Sequence, residues 1–115
     1  MTFEFKAKKV EYSEANGGEL IQVIFDSGVY PNPEEDESIY LMIGAQYEFP
    51  PVNATVEWYD GKEYDGGIEI KEHTLTDNSL LLTLKNEMKF KIHFKIDKDT
   101  YGKVEQFLLI DSKHR

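Results

Sequence analysis

Met88-Lys89-Phe90-Lys91-Ile92-His93-Phe94-Lys95-Ile96 alternates apolar and polar residues without a break. Met88, Phe90, Ile92, Phe94 and Ile96 point one way, while Lys89, Lys91, His93 and Lys95 point the other. A period of two describes a β-strand with one buried face and one wet face. Antiparallel sheets commonly expose one face in this way, and the rest of the chain follows the same rhythm.

Immediately upstream, Leu80-Leu81-Leu82-Thr83-Leu84 reads as a neighbouring strand, joined to the first by a short connection through Asn86. Thr76-Asp77-Asn78-Ser79 turns into it from a strand that begins at Ile68 and Ile70. Ala54, Val56 and Trp58 alternate with Thr55, Glu57 and Tyr59, and Asp60-Gly61 is a hairpin signal because its residues tolerate positive φ. Pro50-Pro51 interrupts the chain before this strand. Leu20–Phe25 and Ile39–Ile43 are near-continuous apolar runs, which predicts central strands buried on both faces. Between them, Asp26 to Ser38 holds Gly28, Pro31, Pro33 and four consecutive acids, the pattern of a surface loop. The first strand, Phe3–Tyr12, changes phase at Lys8-Lys9, where a bulge would restore inward packing. Asn16-Gly17-Gly18 then turns the chain.

One helix is predicted, at the C-terminus. Tyr101, Val104, Phe107 and Leu108 form an apolar stripe, and Asp97 or Asp99 can accept the open amides of its first turn. The expected architecture is a single α+β domain over residues 1–115: a mostly antiparallel β-sheet of about six to eight strands with the C-terminal α-helix packed on one face.

At 115 residues, 40% of them hydrophobic, the chain can bury a real core. It has no cysteine, so disulfides, thiolate zinc sites and cysteine nucleophiles are excluded. The N-terminus lacks the apolar segment of a signal peptide, and no run is long enough to span a bilayer. A soluble, cytoplasmic protein is expected. Asn53-Ala54-Thr55 matches a glycosylation triplet only by chance in that setting.

Charge is distributed unevenly. Between Val10 and Ile70 stand fourteen acids and one base, Lys62. That segment carries −13 against −9 for the whole chain, so the remainder is +4. A one-signed segment draws in basic partners and repels anionic ones. The charge concentrates at two loops. The first is Glu34-Glu35-Asp36-Glu37. The second is the turn bearing Tyr59, Asp60, Glu63, Tyr64 and Asp65, where aromatics add rigid contact area to carboxylates that pair with arginine or lysine. These nine residues are the candidate partner-binding set. Solvated loops and plain turn chemistry account for the same residues without a partner, with Trp58 in the core, Tyr59 on the surface and Gly66-Gly67 supplying a positive-φ turn. Whether the two loops meet in space decides between these alternatives.

No catalytic residue is assigned. The sequence lacks a nucleophile elbow, a phosphate-binding loop and a dinucleotide fingerprint. An acid pair such as Asp60 and Glu63 would need a desolvated cleft to act as a glycosidase does. No metal or cofactor is expected either: the acid run lacks the alternating ligands of a calcium loop, and His73, His93 and His114 have no ligand spacing. His73 shares an outward phase with Glu69 and Lys71, and would approach His93 if their strands were neighbours. Nucleic acid is disfavoured as a partner. Lys6, Lys8, Lys9 and the Lys89/Lys91/Lys95 face would form only a small basic patch if the terminal strands adjoin.

The order of features resembles the immunity protein 10 family of bacterial polymorphic toxin systems. The likeness rests on Phe5-Lys6-Ala7-Lys8-Lys9-Val10, Tyr40-Leu41-Met42, Tyr64 followed by Gly66-Gly67-Ile68-Glu69, and Phe94-Lys95-Ile96-Asp97 before the closing helix, and spans Phe3 to Ile110. Asp65 separates the tyrosine from the glycine pair, a departure from the family pattern. The resemblance implies a small cytoplasmic α+β protein, without catalytic residues, that neutralises a cognate toxin domain. An acidic surface suits the basic clefts of toxins that act on nucleic acids. The competing expectation is another acidic interaction protein, such as a mimic of nucleic-acid charge, and after it a small carboxylate-dependent enzyme.

Overall fold

The computed structural model describes residues 2–32, 34–48 and 52–113. Pro33, Pro50, Pro51 and His114, named above, lie outside the described residues. The strands are β1 (Thr2–Lys6), β2 (Lys9–Ala15), β3 (Leu20–Asp26), β4 (Tyr40–Gln46), β5 (Val52–Tyr59), β6 (Tyr64–Leu75), β7 (Ser79–Leu84) and β8 (Lys89–His93), followed by helix α1 (Lys98–Ser112). The α+β expectation holds.

All eight strands form one sheet in the order β1-β8-β7-β6-β5-β4-β3-β2. Every pairing is antiparallel except β1 with β8. The two edge strands are consecutive pieces of chain. At their junction the Ala7 amide donates to His93 O at 2.7 Å and the Lys8 amide to Asp26 O at 2.7 Å. One continuous segment therefore pairs with β8 in its first half and with β3 in its second, which closes the sheet on itself as a barrel and removes most of its open edge. The phase change at Lys8-Lys9 is thus a change of partner strand rather than a bulge.

Inward residues of every strand fill the interior. Val23, Phe25, Leu41, Ile43, Val56, Trp58, Ile70, Leu80, Leu82, Phe90 and Ile92 are all buried. Phe25 meets Phe94 across the closure at 5.7 Å, and Phe90 meets Trp58 edge-on at 4.9 Å. The expectation that β3 and β4 are buried on both faces is corrected. Their outer face is partly wet, with Gln22 exposed and Ile24 and Met42 half-buried. Ala54 of the glycosylation-like triplet is buried in β5.

The helix lays Val104, Phe107 and Leu108 into the same core and touches β2 and β6. Asp97 is its cap, accepting from the Thr100 amide at 2.8 Å. A buried carboxylate at its far end, Asp111, accepts from the Ala54 amide of β5 at 2.9 Å. Among the described residues no helix is long and apolar enough to cross a membrane.

Candidate functional site

The β4–β5–β6 register brings the two acidic loops together. Tyr40 lies opposite Tyr59, and Tyr59 opposite Tyr64. Cross-strand partners share a face, so the three tyrosines form a row on the outside of the barrel at one end. Tyr59 and Tyr64 stack at 4.7 Å with planes 24° apart, and Tyr40 and Tyr64 lie 6.4 Å apart.

The acid loop folds over this row. Its base is held by the Ser27 amide on Ile39 O at 2.9 Å and the Ile39 amide on Val29 O at 3.0 Å. Asp26 anchors it from below, accepting from the Gly28 amide at 2.9 Å and from Ser38 Oγ at 2.6 Å. Asn32 then turns the chain, its side chain accepting from the Glu34 amide at 3.1 Å. On the facing hairpin, Gly61 lies so close to Pro31 and Ile39 that an added Cβ would touch both at 3.5 Å. The loops are in contact, and the acids converge.

The tyrosines register this crowding. Loss of water, followed by the Glu37 carboxylate beside it, pushes the Tyr64 hydroxyl up to about 12. Desolvation and then the charges of Glu35, Asp60 and Glu37 raise Tyr59. Desolvation, then Glu57 and Glu37, raise Tyr40. Each phenol is held neutral, a hydroxyl donor facing carboxylates.

The candidate residues divide accordingly. Glu35, Glu37, Tyr59, Asp60 and Tyr64 gather into one site. Tyr59, expected on the surface, points outward but is only 4% exposed beneath the loop, whereas Tyr64 is 56% exposed. Glu34, Asp36 and Glu63 are exposed around the site. Asp60 also builds the turn: its Oδ1 accepts from the Lys62 amide at 2.8 Å and the Glu63 amide at 2.9 Å, and these bonds hold its carboxyl below the usual carboxylate range. Asp65 stands apart. It pairs with Trp58, so it faces the opposite side of the sheet from Tyr64, and its Oδ1 accepts from the Gly66 amide at 2.8 Å. Gly66-Gly67 is not a turn. It is a bulge inside β6, in which Gly66 presses against Glu57 and Gly67 takes a φ of 77°.

Four contributors lie outside the candidate set. Tyr40 and Glu57 join the site through register. Val29 and Tyr30, exposed at 55% and 52%, project from the acid loop itself. Glu57 had a usable signal, since it shares the strand phase of Tyr59.

The histidines separate. β7 lies between β6 and β8, so His73 and His93 are not neighbours. A register shift between Ile70 and Glu72 flips the phase of β6 and sets His73 opposite the inward Leu82, correcting its expected outward position. His93 pairs with Glu4. The terminal strands do adjoin, gathering Lys6, Lys91, His93 and Lys95 into a small basic patch, while Lys9 is neutralised by Glu11. No group of three side chains suited to a metal ion occurs among the described residues.

Comparison of the chain with protein-family models, curated proteins and solved structures finds no match.

Proposed function

We propose that this protein binds a basic protein partner through the tyrosine row and the two acidic loops, and that it is a cytoplasmic immunity protein neutralising a cognate toxin domain by direct contact rather than by catalysis. The observation that carries the reading is the convergence of Glu35, Glu37 and Asp60 on Tyr59 and Tyr64. Acids scattered for solubility have no reason to meet around stacked aromatic rings. An interface centre wants rigid aromatic area with charge at its margin, and Val29, Tyr30 and Tyr64 supply exposed apolar area there. The family resemblance supplies the particular partner class.

The electrostatic part is tested by rate. The unscreened field of the acidic end reaches well beyond the Debye length of about 8 Å at physiological ionic strength. Association with its cognate toxin domain should slow steeply between low and physiological salt. Replacing Glu34, Glu35, Asp36 and Glu37 by their amides should flatten that dependence and weaken protection of co-expressing cells, with folding intact. Unchanged protection by the four-amide variant would refute the site. Tight binding to several unrelated basic proteins would point to a general charge mimic instead.

A further inference from the structure

A cavity of about 500 Å³ opens at the same end of the barrel, on the inner side of the hairpin that carries the tyrosines. Phe3, Trp58 and Met88 form its apolar walls, and Asp60, Lys62 and Glu87 stand at its rim. Trp58 is 3% exposed and is wedged by Phe90, which itself lies 6.0 Å from Phe3. The walls are thus fixed before anything enters. Asp60 belongs to both features: it lines the cavity, and its charge acts on Tyr59 across the hairpin.

We infer that this cavity receives one apolar side chain of the basic partner, leucine or phenylalanine in character, flanked in the partner by lysine or arginine. The inference rests on the proposed binding function and names the anchor it uses. Charge complementarity selects the occupant. At the rim Lys62 lies near Asp60, and Glu87 is paired with Lys71 at 2.8 Å, so the charge that selects the occupant comes from the surrounding acids. Across the hairpin Glu35 and Glu37 act with Asp60 on Tyr59, and Glu63 is exposed on the turn, so an apolar residue arriving without positive neighbours would leave that field unanswered. A preformed apolar slot ringed by charge is the usual anatomy of an interface hot spot. A polypeptide straddling the Asp60–Glu63 hairpin would place its anchor inside and its cations outside.

Trp58 is the single tryptophan of the chain and lines the cavity, so in the folded protein its emission responds to cavity occupancy. The probes are short lysine/arginine peptides with a central leucine, phenylalanine or alanine, and an uncharged leucine peptide of the same length. Binding is read by anisotropy of a labelled terminus and cavity occupancy by Trp58 emission. The cationic leucine and phenylalanine peptides should bind about tenfold or more tighter than the alanine peptide, the yield of burying one such side chain. They should also shift Trp58 emission saturably, where the alanine peptide does not. Met88→Lys should erase the leucine advantage while alanine-peptide binding persists. Equal binding of all cationic peptides with unchanged Trp58 emission would overturn the anchor and leave the acidic surface standing. No binding by any cationic peptide would overturn both. An equal response to the uncharged leucine peptide would overturn the basic partner and make the cavity a general apolar site.

Discussion

Gly66 gives the sharpest structural test, because three glycines of this chain sit in three different physical situations. An alanine Cβ at position 66 would lie 2.5 Å from Glu57 Cβ and 2.9 Å from Glu57 Cα. Those atoms are at the backbone and cannot swing aside, so β5 and β6 must separate. So close an approach puts the cost at the upper end of the overpacking range, about 3 kcal/mol, offset by about 0.4–1 kcal/mol of lost freedom in the unfolded chain, so Gly66→Ala should destabilise by about 2 kcal/mol. At Gly67 nothing lies within 4 Å of the added Cβ, but φ is +77°, and the left-handed region costs an alanine about 1 kcal/mol. At Gly102, inside α1, the space is open and φ is ordinary, so Gly102→Ala should stabilise by about 1 kcal/mol. Urea unfolding followed by Trp58 fluorescence, with unchanged m-values, measures all three. The bulge also sets strand phase. If Gly66→Ala expels it, Tyr64 moves to the other face and loses Tyr59. A Gly66→Ala variant as stable as the wild type, or a costlier Gly67→Ala, would refute the close-approach reasoning.

Three further outcomes follow from single contacts. Asp111→Ala leaves the buried Ala54 amide without its carboxylate and should cost about 2–3 kcal/mol, read as a lower urea midpoint; a change within 0.5 kcal/mol would mean the bond contributes nothing net. Asp97 is held below the ordinary carboxylate range by Thr100, so its stabilisation is full above the unfolded value of about 3.9 and is lost as pH falls through the lower folded value; Asp97→Asn should melt lower than the wild type at pH 7 and converge with it in acid, and a constant gap in melting temperature at all pH values would contradict this. Glu37→Gln removes the charge beside Tyr64, so ultraviolet titration should show the Tyr64 phenol moving down from about 12, with Tyr59 and Tyr40 moving down less, while an unmoved titration would separate Glu37 from the tyrosine row.

The features legible in the sequence are those whose signal is local. The alternation at Met88–Ile96, the Asp97 cap and the Val104/Phe107/Leu108 stripe each declare themselves within one element. What escaped depends on partners distant in sequence. The phase change at Lys8-Lys9 has the same local pattern whether a strand bulges or changes neighbour, and only the Ala7 and Lys8 hydrogen bonds to opposite sides of the closure decide it. The flip at Lys71 carries no glycine or proline, so His73 kept its apparent outward phase. Asp111 occupies a stripe position of the helix that an apolar residue would normally fill, and its role exists only because β5 begins there. In the candidate site, both acidic loops were visible and Glu57 shares the strand phase of Tyr59, but Tyr40 belongs to it through a register no short window encodes. Asp65 was included for its charge, although strand alternation sets it on the side opposite Tyr64.

The topology explains why a charge block in sequence becomes a directional surface. From β2 to β8, strand order around the barrel follows chain order. The acid-rich residues between Val10 and Ile70 therefore occupy one contiguous sector, from β2 through most of β6, and the basic remainder on β8 and β1 closes the circle with Lys6, Lys91 and Lys95. A protein divided in this way turns in the field of a basic partner before touching it, acidic sector foremost. Steering alone does not hold a complex together, since exposed ion pairs contribute little. Holding requires area from which water is expelled, and in the acidic sector that area lies where the β4–β5–β6 register stacks the tyrosines and the barrel mouth opens beside Trp58. In the proposed complex, long-range charge sets the rate of approach and a small aromatic centre sets residence, two roles assigned to different residues of one barrel.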